Sequence, residues 1–331
     1  MATVGNTYLT LKDKYSQMEG GKVTASIIDL FVQSNVLLED AITLECNDGT
    51  SHKTTVRNGL PEVEFRKFYQ GAKCQKGDYT QITDSTGMID DYSEVDKKLA
   101  DLNGDKAQFL LNESEAHIQA MNNKVMTNIL YGNKGKNDAD FDGLSVRYGK
   151  TSNTKGSIGY QVMSAGGAGS DNTSIWFITW GDTKTHLLYP RGSKAGLQYE
   201  NQGQVTALDA NNNYYEAYRS HFSWDVGLTV RNYRANGRIA NIDVSNLSGD
   251  SAADLITLMI KMWHRIKRHA KGGKTVIYVN ETIETFLHLQ AMNKTNVNLS
   301  LGEFAGQEVV KFLGIPVKCC DQILDTEAVV S

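Results

Sequence analysis

The sequence predicts an α+β fold, on three observations. Residues 54–92 read as a long two-stranded ribbon, and a long amphipathic helix follows it and closes at residue 132. Residues 173–245 carry a run of strand patterns, and residues 251–292 read as a helix–strand–helix unit of their own. A two-stranded ribbon is marginal alone in water, because its apolar face is too small to offset the entropy of ordering it. The ribbon therefore implies a surface to lie on, and another copy of the chain is the expected partner.

With 331 residues the chain favours about two domains. Hydrophobic residues make up 40% and charged residues 22%, so the chain can bury real cores and is not a disordered tether. Proline is scarce, at 3, against 30 glycines, which leaves Gly, Asn and Asp to make the turns. A net charge of −4 argues against a broad basic face that grips nucleic acid. Weak contact with it remains compatible with that balance. Cys46, Cys74, Cys319 and Cys320 fit no zinc spacing, and the vicinal pair is not a CxxC redox site. The first residues, MATVGNTYLTLKDKY, lack the basic lead and apolar core of a secretory signal. No apolar run has the length of a membrane span. The expectation is a soluble protein made in a reducing cytoplasm, with mostly inert thiols.

Taken in order, residues 1–25 are polar, with Gly20 and Gly21 breaking any helix, and read as an extended arm. Residues 26–33 can form a short helix, and 42–46 a strand closed by the turn signal Asn47-Asp48-Gly49. In the ribbon Val63, Phe65, Lys67 and Tyr69 alternate with Glu62, Glu64, Arg66 and Phe68, a period of two with charge on both faces. Its tip, residues 72–78, is too polar for a core. Ser93 through Asp96 offers a cap for a short helix with Val95, Leu99 and Leu102 on one side, stopped at Asn103-Gly104. The long helix is expected to start near Asn112, with Glu115 complementing its dipole. Leu111, Ile118, Met121, Val125 and Ile129 form its stripe, over roughly 25 Å.

A polar Gly- and Asn-rich stretch covers 133–174, and strands are expected at 173–180 and 186–189. A polar excursion over 192–205 then separates these from a strand in which Trp224, Val226, Leu228 and Val230 alternate, and from another at 238–245. Residues 251–254 read as a capping box for a helix with the stripe Leu255, Met259, Met262 and Ile266, and Gly272-Gly273 as its stop. Residues 275–279 are a buried-strand run, Asn280 caps a helix bearing Ile283, Leu287 and Ala291, and strands close the chain.

Several patterns resemble sites and fail. Gly273-Lys274-Thr275 lacks the phosphate-loop glycine five residues earlier, where Arg268 stands, and it leads into a strand. Asp138, Asp140, Asp142 and Gly143 begin a calcium loop, but Gly149 occupies the position of the bidentate Glu. Gly166, Gly167 and Gly169 carry no nucleotide fingerprint. The histidines, His264 and His288 among them, form no catalytic motif. Glu62 and Glu64 share a strand face, but in an exposed ribbon they are better read as solvated charges or partners for a neighbour's cations. No cofactor, metal or catalytic residue is expected.

The blocks ECNDGTSHKTTVRNGLPEV, GSDNTSIWFITWG, YPRGSKAGLQYE, RIANIDVS and GEFAGQEVVKFLGIPVKC, in that order, resemble the major capsid proteins of short-tailed double-stranded DNA phages, such as those of Bordetella phages. The resemblance runs from about residue 35 to 330. It implies the Hong Kong 97-like phage capsid fold: an N-terminal arm (1–46), an extended β-hairpin loop (47–92), a peripheral domain with a long spine helix (93–160), and a strand-rich segment whose threading varies (161–245). An axial domain (246–312) and a C-terminal strand returning to the peripheral domain (313–331) complete it.

The implied function is structural: a virion shell subunit that assembles with itself into hexamers and pentamers of an icosahedral head. Further implied partners are a cement or decoration protein, a portal, a separate scaffold, and packaged double-stranded DNA through weak contact, with no membrane. Assembly would take place in the host bacterial cytoplasm. Glu62, Glu64, Arg66, Lys67, Tyr69, Lys73, Lys76 and Asp78 are the expected intersubunit contacts. Some members of the wider fold cross-link through Lys and Asn, but no Glu is identified here to act as the base. The rival readings are a tail-tube subunit and an α/β enzyme.

Overall fold

Two long strands, Asp78–Asp96 and Tyr214–Val230, organise the chain. The computed structural model describes Leu9, Lys14, and residues 18–19, 23–24, 35–209, 211–247, 254–292, 299–304 and 307–331. The helix expected at 26–33, the glycine break at 20–21, most of the N-terminal arm and residues 251–253 of the capping box lie outside the described residues.

In chain order the strands are β1 (Met18–Glu19), β2 (Val23–Thr24), β3 (Thr43–Glu45), β4 (Ser51–Gly59), β5 (Asp78–Asp96), β6 (Val162–Ser164), β7 (Asn172–Trp180) and β8 (Thr185–Tyr189). They continue as β9 (Gln198–Leu208), β10 (Tyr214–Val230), β11 (Gly237–Asp243), β12 (Lys274–Val279), β13 (Leu299–Phe304), β14 (Gln307–Phe312) and β15 (Ile315–Cys319). The α-helices are α1 (Val36–Asp40), α2 (Lys97–Ala100), α3 (Lys106–Tyr131), α4 (Leu144–Arg147), α5 (Leu255–Ile266) and α6 (Glu281–Met292).

Thirteen strands join in one sheet along the path β13-β14-β15-β12-β7-β8-β10-β5-β4, with β3, β6, β9 and β11 attached at its sides. β10 is the hub. One edge pairs with β5 from Ala217↔Asp96 to Gly227↔Thr86, while the other is divided between β9 and β8. Two apolar cores share this sheet. Every residue of β7 is buried, and its side chains divide by the strand period of two. Trp176, Ile178 and Trp180 join α3 and the alternating Phe222, Trp224, Val226 and Leu228 of β10. Ile175 and Phe177 join α5, α6 and the C-terminal strands. The expected stripe Leu255, Met259, Met262 and Ile266 faces this second core without exception. Asp254 caps α5 by accepting from the Thr257 amide at 3.0 Å, and Asn280 caps α6 by accepting from the Ile283 amide at 2.9 Å. The chain rejoins the first core after β15, through Cys320, Ile323 and Val330.

Four expectations need correction. The long helix α3 begins at Lys106, not near Asn112, and its 26 residues span about 39 Å. Its first turns are held by tertiary packing, since Phe109 is buried with Val95 and Ala100. Asn112 lies inside the helix and accepts from Gln108 Nε2 at 2.8 Å, while Leu111 is exposed rather than part of the stripe. Second, Ser93 is still strand. The cap is Asp96, whose carboxylate accepts from the Lys98 and Leu99 amides, so β5 runs directly into α2. Third, much of the polar excursion, Gln198–Leu208, is β9, exposed along most of its length and held by its ladder to β10. A bulge there is made by Gly203, at φ 71°. Fourth, residues 60–71 are not strand at all.

The spine helix ends where two backbones meet. The Gly143 amide donates to the Gly132 carbonyl at 2.9 Å, and a Cβ at Gly143 would stand 2.5 Å from the Asn128 carbonyl oxygen and 2.8 Å from the Gly132 nitrogen. Backbone atoms cannot swing aside as side chains do. Gly143→Ala is therefore expected to destabilise the chain by about 1–3 kcal/mol, the cost of overpacking. Urea unfolding of the variant measures this, and an unchanged midpoint would refute the close approach.

Candidate assembly interface

The ribbon is built from β4 and the first half of β5, which pair from Ser51↔Ser85 to Gly59↔Asp78. Pairing stops there for physical reasons. Pro61 has no amide to donate, and among the described residues the charged alternation that follows has no strand to face. Residues 60–77 continue as an irregular tip that turns at Phe68 and Tyr69, the latter at φ 65°. Its internal bonds are few. The Glu62 amide donates to Gln75 Oε1 at 2.9 Å, the Gln70 amide to the Lys67 carbonyl at 3.2 Å, and Lys73 Nζ lies 3.5 Å from Glu64.

All eight predicted contact residues are exposed. Glu62, Glu64, Arg66, Lys67, Tyr69, Lys73 and Lys76 lie in the tip, and Asp78 opens β5 opposite Gly59. Glu64–Lys73 is the one ion pair within the set among the described residues. Arg66 turns its guanidinium to the Gln70 carbonyl at 3.2 Å. What the charge-centred reading missed is the apolar component. Leu60 is 79% exposed, Val63 91%, Phe65 108% and Phe68 95%. Scattered exposed leucines are ordinary, but this many large apolar side chains on one projecting tip mark a surface for association. The apolar residues were visible in the sequence, Val63 and Phe65 alternating with Glu62 and Glu64, but their exposure was not; among the described residues nothing covers them.

The tip is loose, but its root is rigid. Asp84, buried on β5, accepts from Arg147 Nη2 of α4 at 2.8 Å and from the Thr229 hydroxyl of β10. Arg147 also donates to the Leu228 carbonyl at 3.2 Å. Further along β5, Glu94 takes two bonds from Arg219, at 2.6 and 3.0 Å, and one from Tyr215. Asp91 meets His117 of the spine at 2.5 Å. Midway out, Arg57 Nη2 donates to the Tyr79 hydroxyl at 2.9 Å and lies over its ring. Behind the root, His52 of β4 meets buried His186 of β8 edge to face, with ring centroids 5.8 Å apart. Burial, with the nearby His52 and Arg231, pushes His186 down to about 4.

Other polar groups have structural partners. Lys274, from the failed phosphate-loop motif, pairs with buried Asp40 at 2.6 Å, and Tyr278 donates to the same carboxylate at 2.8 Å. Burial raises the Asp40 pKa, but these bonds and one from Lys318 outweigh it and hold the carboxyl below its usual range. Asp140 accepts from Asn128, and Asp142 from the Lys134 amide. Among the described residues no group of three His, Cys, Asp or Glu is placed to hold a metal. Burial pushes Cys46 up to about 11 and Cys319 and Cys320 to about 12, which keeps these thiols protonated near neutrality. No helix among the described residues is long and apolar enough to cross a membrane.

A spine helix under a mixed sheet, a second helical layer, and one strand that leaves the body as an extended ribbon define the class: phage capsid subunits with the Hong Kong 97-like fold. The model of the family "major capsid protein GP7" matches residues 18–331, and the chain belongs to that family. A chain in the near-atomic structure of bacteriophage Epsilon15 is 38% identical, with a TM-score of 0.78, over 100% of this chain and 99% of that one. Remoter likenesses are the bacteriophage JBD30 capsid (11% identity, TM-score 0.48, 89% of this chain and 93% of that one) and the SrpI encapsulin of Synechococcus elongatus (11%, 0.45, 67% and 93%). No curated protein matches. The chain is a structural subunit of a phage head and part of the virion. Neither the tail-tube nor the enzyme reading finds support in these matches.

Two measurements probe the ribbon root. Arg147→Ala leaves the buried Asp84 carboxylate without its cation and is expected to cost about 3–5 kcal/mol in urea unfolding, much of it recovered by adding Asp84→Asn. A loss no larger than that of exposed Arg57→Ala would remove the pair's importance. An unfolded histidine takes up its proton near pH 6.5 but buried His186 only near about 4, so acid draws the equilibrium toward the unfolded chain between those values. Thermal melting should show this loss, and His186→Leu should flatten it. An equally steep acid limb in the variant would refute it.

Proposed function

We propose that copies of this chain form hexamers and pentamers that close into an icosahedral shell around double-stranded DNA, and that the ribbon tip is a principal contact onto a neighbouring subunit. The observation that carries this is the tip itself: large apolar side chains, almost wholly exposed, on a ribbon whose root is locked into the body. A neighbour's surface supplies the cover that the described residues do not. Glu62, Glu64, Arg66, Lys67, Lys73, Lys76 and Asp78 then set register around Tyr69 and the apolar anchors, as a polar rim does around an interface core. Specific interfaces bury more than about 1,000 Å² in total, and a projecting ribbon reaches that area without moving the body. Heterologous contacts of this kind close into rings when the rotation permits.

We assign residues 1–46 to the arm, 47–92 to the extended loop, 93–160 to the peripheral domain with the spine, 161–245 to the shared strands, 246–312 to the axial domain and 313–331 to the return. The two apolar cores on one sheet support a peripheral and an axial unit. A portal, a cement or decoration protein and a separate scaffold are the further partners of such a shell. Contact with packaged DNA is weak, in keeping with the net charge of −4. The role is structural and not catalytic, because the candidate motifs serve as caps, turns and ion pairs.

Excising residues 61–76 so that Leu60 and Gly77 turn directly between the paired Gly59 and Asp78 should leave the unfolding midpoint nearly unchanged. It should also abolish or severely weaken particle formation by electron microscopy. Normal shells from this variant would overturn the contact assignment. Stacked rings from the intact chain would restore the tube reading, and discrete monomers the enzyme.

A further inference from the structure

A chain of net charge −4 keeps one of its clefts almost free of carboxylates. The cleft, of about 740 Å³, lies between the outer face of α5 and the segments around residues 155 and 234. Lys155, Arg234, Lys261, Arg265, Arg268 and His269 line it, drawn from three separated parts of the sequence. Several cations elsewhere sit in ion pairs: Arg147 with Asp84, Arg219 with Glu94, Arg238 with Glu327, Lys274 with Asp40. None of the ion pairs among the described residues includes a cation of this cleft. The Asp254 carboxylate is a charge felt by Lys261, from the far end of α5. Burial and the neighbouring Arg234, Lys184 and Arg268 all push the His269 pKa down, as expected where positive charge accumulates.

Cations at a helix C-terminus complement its dipole, which accounts for some of those after Lys261. It does not account for Lys155 and Arg234, which converge from other elements. Two guanidinium groups are also pre-oriented. Arg265 lies over the Tyr160 ring at 4.2 Å and donates to the Tyr160 carbonyl, and Arg234 lies over Tyr233 at 5.7 Å. Planar forks held this way suit phosphate oxygens. The lining distinguishes the class of partner. Its lining holds one aliphatic residue, Ile260, and one aromatic, Tyr160, whose ring Arg265 overlies, so little apolar surface is left to anchor a protein partner, whereas nucleic-acid interfaces are polar and strongly positive.

We propose that this cleft is where the shell subunit touches duplex DNA, through the phosphate backbone and without base reading. The proposal rests on the reading that the shell encloses DNA, and it confines that weak contact to one built surface.

The test is fluorescence anisotropy of a short labelled duplex with the full-length chain between about 50 and 200 mM salt, the range over which phosphate contacts are lost steeply. Binding should be weak and salt-sensitive. Lys261→Ala with Arg268→Ala should lower affinity about tenfold at low salt and reduce the slope of log affinity against log salt by about 2, one per cation removed. Lys136→Ala with Lys194→Ala removes the same charge from exposed positions outside the cleft and should change neither. Thermal melting confirms that both variants are folded. No binding by the intact chain at low salt, or equal losses in the two variants, overturns the proposal. Electron microscopy of the same samples separates the other possibilities. If the cleft variant fails to form shells and the subunit ignores DNA, the cleft is an acidic-protein interface. If the intact chain forms no shells, the functional reading fails, while the DNA titration still decides the cleft.

Discussion

β5 and β10 bond along eleven register pairs, from Ala217↔Asp96 to Gly227↔Thr86, and the same β5 backbone then continues unbroken into the ribbon. Nineteen residues of continuous strand span about 63 Å, so the ribbon is a lever fixed at one end rather than a tethered loop. Its fixed end is secured at successive points by Glu94, Asp91 and Asp84, each bound to a cationic or ionisable side chain of another element. The spine helix packs across β10 on the same face, through Met121, Val125, Ile129 and the strand's Phe222, Trp224 and Val226. A rigid root with an unsatisfied tip suits a subunit whose stability is shared with its neighbours.

The rest of the body follows from having one sheet serve two cores. β7 is buried on both faces, which is possible because α3 and its surroundings cover one side and α5 with α6 cover the other. Several polar groups that enter this interior are paired with one another, although the Thr173 hydroxyl, the Trp176 indole and the His186 ring are buried without a hydrogen-bond partner. Arg238 and Glu327, both almost fully buried, pair at 3.0 Å and draw in Ser174 and Tyr131, which fastens the C-terminal segment to the sheet and to the end of the spine. Asp40, held by Lys274, Lys318 and Tyr278, does the same for the first helix. Many charges outside these pairs lie at the surface, and they are not evenly mixed. The segregation of cations around α5 shows how little a net charge says about any one surface.

Much of this was legible in the chain. The stripe of α5, the cap at Asn280, the buried runs of β7 and β12, and the alternation from Trp224 to Val230 all appear where their patterns placed them, whereas Asp254, the last residue of the expected capping box, is itself the cap of α5. Each reports burial by one partner at a regular period, which sequence encodes directly. The misreadings share the opposite property. The first turns of α3 are held by Phe109 packing on Val95 and Ala100, β9 by its ladder to β10, and residues 60–71 lost their strand for want of any ladder. For the candidate interface the charged residues and their projection were readable. The exposure of Leu60, Val63, Phe65 and Phe68 was not, because an alternating apolar residue looks the same whether or not something covers it.

By itself, then, the sequence determined the apolar stripe of α5, the cap at Asn280 and the buried runs of β7 and β12, since these depend on residues close together in the chain. The tertiary structure alone decided that β5 is one strand serving both ribbon and body, that Asp84 meets Arg147 across 63 positions, and that Lys155 and Arg234 join the cations of α5. Those outcomes depend on which distant backbone supplies a partner for a strand edge or a buried charge. Local pattern carries no term for that choice; only the folded chain makes it.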